Sequence, residues 1–559
     1  MGRRALLLAA VGLALVSWLP LGIAGVPLDT PDGFLHLGWA VAWAKAVQGG
    51  WLWPTWSDLP WAGAGSHALL IYPPLFRLLV GLPLVAGVPP DHALASGLLV
   101  VTLVNAVGAA VLAKHWLRQE RWRWALLWGA VLNPYFLVNL YVRGAWPEAL
   151  AQGLLWWLTL GLLGLKQEKR WGIALSSTAL AGVILSNWNA SLLTALIWLM
   201  AAGVVLRGSR QWRNWLWIGL LALTVTSPFW LPALLALPTV RPPIPEGLLP
   251  GEFFGSGQAG QFSFGRLIWI QAVVISSILI IRWLGWGRSV DPIGRWGLVL
   301  AASGMVLMLP VSAPVYELVS PLQRIQFPWR WLSPTWMGAL LWWASVGVQP
   351  NARLSPSTWR RVALLLTALA AVGAWFDSLW RFRTNLVGHA PSRKEIQANR
   401  TLLACDPLVP CPIGVAALPS TGELSKRFTA TRDGRIALSG VPDYSPATIP
   451  ESSWNKRLAI FWLPNWPQRD WSAFSGAGTV EVTFKSPTER RLLVDAKSPG
   501  NLRLMQWADP RWTVLVRPSD ASEEWNQQPF ELTRAPDGWT MIPLQAGTWE
   551  VALRYGNGG

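Results

Sequence analysis

Long apolar runs joined by short basic connections fill the first two thirds of the chain, and short alternating runs fill its last hundred residues. A helix that crosses a bilayer needs about 20 mostly apolar residues. Runs of that kind occupy 5–25, 93–113, 124–140, 149–165, 171–186, 190–206, 214–236, 266–284, 295–311, 333–349 and 362–377, which predicts eleven spans. The stretch 69–88 is also apolar, but Pro73, Pro74 and Pro83 interrupt it and Arg77 lies within it. It is expected to form a juxtamembrane or re-entrant helix rather than a crossing. From about residue 455 the period changes to two, in TVEVTFK (479–485), RRLLVDA (490–496), NLRLMQW (501–507), WTVLVRP (512–518), WTMIPL (539–544) and WEVALRY (549–555). Turn signals such as Pro-Asp-Gly at 536–538 separate them, so an antiparallel β-sandwich is expected. The predicted organisation is a multispan domain over 1–377, with a long outer loop at 26–92, followed by a mainly-β domain over 378–559.

Composition sharpens this picture. Of 559 residues 52% are hydrophobic and only 13% charged, against roughly 25% charged in ordinary soluble domains. That shortage excludes a soluble enzyme and a disordered chain alike. The 42 Trp fit a bilayer protein, because indole favours the headgroup level. The net charge of +17 does not form a basic stripe suited to nucleic acid; it sits in short clusters between apolar runs. One alternating set of connections carries 18 Lys and Arg and the opposite set seven. The positive-inside rule then puts the N-terminus in the cytoplasm and everything after residue 377 outside. The two cysteines, Cys405 and Cys411, exclude a Cys-rich zinc site. Lying outside the membrane, they are either a bridge closing a small loop or two unpaired thiols.

Candidate chemistry lies on the outer side. Asp29 and Asp32 stand at the end of the first span, and His36 follows Asp32 by four residues, on one helical face. Ionisable groups at this depth are functional candidates. A helix cap is the structural alternative, for which Asp29-Thr-Pro is well suited. A carboxylate here could deprotonate an acceptor hydroxyl, or Asp29 and Asp32 could hold a divalent cation. In the second outer loop, Arg143 and Glu148 are either a structural ion pair or, through Arg143, a grip on a lipid-linked phosphate. The segment 324–332 adds Arg324 and Arg330, among aromatic residues whose simplest reading is an interfacial belt. Asn187 is expected to be a satisfied turn residue. No G-x-x-x-x-G-K-[ST] loop, H-E-x-x-H pair or G-x-S-x-G elbow is present.

Five stretches together carry a family resemblance: D-G-F-L-H-L at 32–37, G-x-G followed by Y-P-P-L-F at 63–76, N-P-Y-F-L-V-N-L-Y-V-R-G-A-W-P-E at 133–148, S-P-F-W-L-P-A-L at 227–234 and R-I-Q-F-P-W-R-W-L at 324–332. They resemble the bacterial integral membrane proteins labelled 6-pyruvoyl-tetrahydropterin synthase-related. Those are similar in layout to the glycosyltransferase C class, GT-C. The resemblance implies a fold of many helices whose first outer loop carries the catalytic carboxylate. With the pattern above, the expectation is a polytopic α-helical protein of about eleven spans with a C-terminal extracytoplasmic β-sandwich, in the bacterial cytoplasmic membrane. It also implies a polyprenyl-phosphate sugar donor and a glycan or protein acceptor in the cell envelope. Asp32 matches the loop acid, His36 its companion, Arg143 and Glu148 the R-G-x-x-x-E element, and Arg330 the arginine of Q-F-P-W-R, while Tyr72 opens Y-P-P-L-F. The expectation is a sugar transferase with Asp32, Asp29 and His36 catalytic and Arg143, Glu148, Arg330, Arg324 and Tyr72 binding substrate. No cofactor is required, a divalent metal being the one candidate. The alternative is a non-catalytic lipid-glycan transporter or an envelope assembly scaffold.

Overall fold

A computed structural model describes residues 3–24, 30, 32–57, 65–206, 211–241, 253, 265–286, 291–325, 327–348, 373, 445–446, 472–485, 488–520, 533–534 and 539–556. The helices are α1 (Arg3–Ala24), α2 (Gly33–Gln48), α3 (Ala68–Ile71), α4 (Leu75–Val85), α5 (Pro90–Trp116), α6 (Glu120–Val131), α7 (Pro134–Val138), α8 (Trp146–Lys166), α9 (Arg170–Ile184), α10 (Trp188–Val204), α11 (Trp212–Ala236), α12 (Gly265–Trp286), α13 (Pro292–Leu307), α14 (Ala313–Leu318), α15 (Ser320–Gln323) and α16 (Leu332–Ala344). The first ten apolar stretches all contain helix; of the eleventh only residue 373 is described, and the boundary at 377 and both cysteines lie outside the described residues. Five helical stretches are long and apolar enough to cross a membrane: 4–23, 90–116, 120–143, 146–166 and 212–239. A sixth is formed if α13 and the segment 310–318, bent by 91° at their junction, count as one span. The expected eleven is therefore not reached among the described residues. Helices α9, α10 and α16, with 15, 17 and 13 residues, are shorter than a full crossing.

Local chemistry starts these helices where the sequence allows it. Asn133 accepts hydrogen bonds from the Tyr135 and Phe136 amides with Pro134 in the first turn, and Asp291 does the same for Gly294 ahead of Pro292. The stretch at 69–88 divides at Tyr72–Pro74 into α3 and the 11-residue α4, as its prolines require. Close helix contact rests on small residues. Gly297 on α13 and Gly338 on α16 face each other so tightly that a Cβ on Gly338 would lie 2.6 Å from the Gly297 carbonyl oxygen.

The strands are β1 (Val240–Arg241), β2 (Ser445–Pro446), β3 (Ser472–Phe474), β4 (Gly478–Lys485), β5 (Glu489–Ala496), β6 (Gly500–Trp507), β7 (Trp512–Pro518), β8 (Thr533–Arg534), β9 (Trp539–Leu544) and β10 (Gly547–Tyr555). All six strands expected from the period-2 pattern are present. They form two four-stranded antiparallel sheets, β4-β5-β10-β7 and β3-β6-β9-β8. Leu492, Val494, Val514, Val551 and Leu553 from one sheet meet Leu502, Leu504, Ile542 and Leu544 from the other in a shared core, which makes the pair a sandwich. One aromatic residue in that core, Trp56, comes from the loop that follows α2.

Candidate functional site

Three chain segments converge at the end of α2. The segment 139–143 winds as a π-helical turn that ends at Gly144, whose φ of +68° is open to glycine. The turn presents Arg143 and Asn139 to each other, and Arg143 Nη1 donates to Asn139 Oδ1 at 2.6 Å. The Arg143 carbonyl, freed by the end of the turn, accepts from the Asp32 backbone N–H at 3.0 Å. Here the two loops touch so closely that a Cβ on Gly144 would lie 2.6 Å from the Gly33 amide nitrogen.

The charges follow from this junction. Arg143 Nη1 is 3.0 Å from Glu148 Oε2, and Arg143 Nη2 is 3.8 Å from Asp32 Oδ2. Arg330, on the helical turn Pro328–Trp331, brings its Nε to 3.8 Å from the same Glu148 oxygen. That Nε has no hydrogen-bond partner, while Nη1 donates to the Ile325 carbonyl at 2.9 Å. Tyr135 donates its hydroxyl to Glu148 Oε1 at 2.5 Å. The Arg143 guanidinium lies 4.8 Å from the Trp329 ring centroid, a cation–π contact. Arg143, Glu148 and Arg330 are buried, whereas the Asp32 side chain is 37% exposed. The site is thus a buried arginine pair around one glutamate, with one open carboxylate at its edge.

Asp32 does not cap α2 with its side chain. Thr30 does so, its Oγ1 accepting from the Gly33 amide at 3.0 Å. Apolar surroundings raise the Asp32 carboxyl above the usual carboxylate range, against the pull of Arg143 and Arg330. His36 sits one turn on, buried among Trp39, Tyr72, Phe76 and Trp146 with ring centroids 5.3 to 6.0 Å away. Burial, with the charge of Arg143 adding to it, lowers His36 to about 3, so its ring is neutral at ordinary pH. Its partners are aromatic faces, which suits a wall of the site better than a proton carrier. Tyr72 lies beside it, and the Asn187 amide donates to the Tyr72 hydroxyl at 3.2 Å. Asn187 also caps α10 through Ala190, so it is both the expected turn residue and a neighbour of the site.

No family model matches the sequence, and no curated protein matches it. Among solved structures, the chain is similar to the arabinofuranosyltransferase AftD from Mycobacteria, with 18% identity, a TM-score of 0.43 and coverage of 72% of this chain and 29% of that one. It is similar to the oligosaccharyltransferase of Archaeoglobus fulgidus, with 12% identity, a TM-score of 0.43 and coverage of 77% and 60%. Arabinosyltransferase EmbB from Mycobacterium smegmatis gives 12% identity, a TM-score of 0.36 and coverage of 98% and 64%. The chain spans less than two thirds of the length of each. None of these relates it to the 6-pyruvoyl-tetrahydropterin synthase-related proteins.

Of the residues expected at the site, Asp32, Arg143, Glu148 and Arg330 meet within ion-pair distance, with His36 and Tyr72 alongside. Asp29 lies outside the described residues. Arg324 is exposed, unlike Arg143 and Arg330. The aromatic residues of 327–331 form no belt: Phe327, Trp329 and Trp331 are buried, and Trp329 is a wall of the charge cluster. Tyr135, Asn139 and Thr30 were not expected. Among the described residues no group of three His, Cys, Asp or Glu side chains is arranged to hold a metal ion. The second carboxylate of the expected cation site, Asp29, lies outside the described residues. Beneath Glu148 a cleft between α8, α10 and α16 is lined by Gln152, Leu155, Leu193, Thr194 and Ser333. Neither polar atom of the buried Gln152 amide has a hydrogen-bond partner.

Proposed function

We propose that this chain is a membrane glycosyltransferase that moves a sugar from a polyprenyl-phosphate carrier to a hydroxyl of an extracytoplasmic envelope acceptor. The observation that carries the reading is the pairing of one open carboxylate, Asp32, with two buried guanidiniums, Arg143 and Arg330, at 3.8 Å and 3.8 Å from the carboxylates they face. Asp32, with a raised pKa, takes the proton of the acceptor hydroxyl as that oxygen bonds to the anomeric carbon. The bond from the anomeric carbon to the carrier phosphate oxygen breaks in the same step, and the electron pair leaves on the phosphate. Arg143 and Arg330 stabilise the charge that develops there, in a setting too dry for water to do so. Glu148 keeps both arginines oriented, and its own charge balances one of them before the donor arrives. His36, Tyr72 and Trp146 give the sugar an aromatic wall.

The bacterial inner membrane, with an outward-facing site, is the location this reading requires, and the basic residues of the alternating connections support it. The experiment is transfer from radiolabelled polyprenyl-phosphate sugars to envelope fractions by purified protein in lipid, beside Asp32→Asn. Transfer by the wild type and none by a well-folded Asp32→Asn supports the reading. Donor binding without transfer across a broad panel would shift the assignment to a lipid-glycan transporter or scaffold.

A further inference from the structure

The first outer loop is anchored in the β-domain. Trp56, 1% exposed, lies in the sandwich core with ring centroids 5.3 Å from Tyr555 and 5.9 Å from Trp512. Trp51 adds a second contact to Tyr555 at 5.8 Å. Ser57 and Ser66 exchange both backbone hydrogen bonds, at 2.9 and 2.8 Å, and close the loop behind the indole. Gly65, with φ +90°, passes flat against that ring, where a Cβ would fall 2.6 Å from its Nε1.

Next to this plug is a buried polar knot that the transfer chemistry does not use. His67 Nε2 is 2.7 Å from Asp509 Oδ2, and both side chains are excluded from solvent. Arg511 Nη1 lies 2.8 Å from His67 Nε2, 2.9 Å from its Nδ1 and 3.7 Å from Asp509, while its Nη2 donates to Thr239 Oγ1 at 2.5 Å. A neutral His67 protonated on Nε2 donates to Asp509 and leaves Nδ1 as the acceptor that faces Arg511 Nη1 and, at 3.4 Å, the Tyr555 hydroxyl. Three segments far apart in sequence, the first loop, the end of α11 and the β-domain, meet in one hydrogen-bonded group.

The knot adjoins the site through very little chain. His67 begins α3, its carbonyl accepting from Leu70 and Ile71 at 3.0 Å each. The carbonyl of Ile71 accepts from Trp188 Nε1 at 2.7 Å, and the next residue, Tyr72, bonds Asn187 and faces His36. We propose that the Trp56 plug and the His67–Asp509–Arg511 knot form a clamp by which the β-domain fixes α3 and so positions Tyr72 at the edge of the Asp32 site. The sandwich is then a structural part of the site's wall. Only the identity of what Tyr72 faces rests on the proposed function, since the clamp exists with or without transfer.

Hydrogen–deuterium exchange of the full chain in lipid nanodiscs tests this without any donor. His67→Ala, Trp56→Ala and Thr239→Val all lie outside the β-domain. The first two are expected to raise exchange of peptides covering 68–76 and 186–190 at least tenfold, while β5, β10, α5 and α8 keep wild-type protection. Thr239→Val is expected to give a smaller rise in the same peptides. If His67→Ala and Trp56→Ala leave 68–76 unchanged, the clamp is overturned. It is equally overturned if β5 and β10 lose protection while 68–76 does not, because the plug would then serve the sandwich alone. Should either alanine variant fail to fold, Thr239→Val decides: no rise in 68–76 overturns the proposal. Absence of transfer by the wild type would defeat the proposed function and leave the exchange result standing.

Discussion

At the level of single residues, the cluster separates a group free to react from groups already engaged. Asp32 makes no cap bond and its side chain is 37% exposed, so Asp32→Asn removes the base of the proposed reaction while disturbing no packing. The expected loss of transfer is about 10²- to 10⁴-fold, with an unchanged unfolding temperature; both are read on one preparation. Arg143 is the opposite case. It is buried against Glu148 at 3.0 Å, so Arg143→Ala takes the nearest cation from a buried carboxylate and leaves it only Arg330 Nε at 3.8 Å and the Tyr135 hydroxyl. That change is expected to cost roughly 3–5 kcal/mol and to lower the unfolding temperature in detergent. Adding Glu148→Gln removes the under-paired carboxylate but takes from Arg330 the one it faces, so a partial recovery is expected. No recovery in the double variant would mean that Arg143 holds the fold through Asn139 and Trp329 instead. Asp32, Arg143, Glu148 and Arg330 were legible in the sequence because charges are rare in this chain and these stand where the charge bias does not want them. Tyr135, Asn139 and Thr30 carried no such signal. Each is an ordinary residue in an ordinary context until the fold brings it to Glu148, Arg143 or Gly33.

Among the elements, the junction of the segments at Asp32 and Arg143 depends on one glycine. Gly144 holds φ +68° at the end of the π-helical turn, where an L side chain costs about 1–2 kcal/mol. Any Cβ would also push the Asp32 segment off the Arg143 carbonyl. Gly144→Ala is therefore expected to lower transfer more than stability, because it moves Asp32 relative to Arg143 while the helices remain. Equal activity in the alanine variant would show that the Asp32 to Arg143 spacing does not matter. Strands were legible almost to the residue, as with Trp512–Pro518 and Trp539–Leu544, because alternation against a single core leaves one register. Helices were legible as helices but not as spans. Apolar composition cannot distinguish a side chain facing lipid from one facing another helix, which is why α9 and α16 looked long enough to cross. The same ambiguity made Trp329 and Trp331 look like a lipid-facing belt when both are core.

For the molecule as a whole, the β-domain and the membrane domain are joined through groups that titrate, so their docking depends on pH. Burial, with Arg511 adding to it, lowers His67 below its ordinary 6.5 despite the pull of Asp509. Burial would raise Asp509, but the His67 hydrogen bond and the charges of His67 and Arg511 hold it below 3.8. The other titratable group facing the knot is Tyr555, raised to about 12 and therefore neutral throughout. A depressed histidine binds its proton more weakly when docked than when released. Its contribution to docking is thus complete above pH 6.5 and is lost as pH falls below that toward the docked value. The slope cannot exceed one proton, about 1.4 kcal/mol per pH unit. Asp509 adds a second loss below 3.8, when its carboxylate protonates. Physically, a proton on Nδ1 removes the acceptor for Arg511 and sets two cations beside one carboxylate. Cleavage in the first outer loop by a protease active over the whole range should therefore accelerate between pH 7.5 and 5, after correction for the enzyme's own pH profile. His67→Gln, which cannot take up the proton, should flatten that dependence over the same interval while retaining the step near Asp509. A pH profile identical in wild type and His67→Gln would show that the two domains are held by the Trp56 plug alone, with the polar knot a passenger.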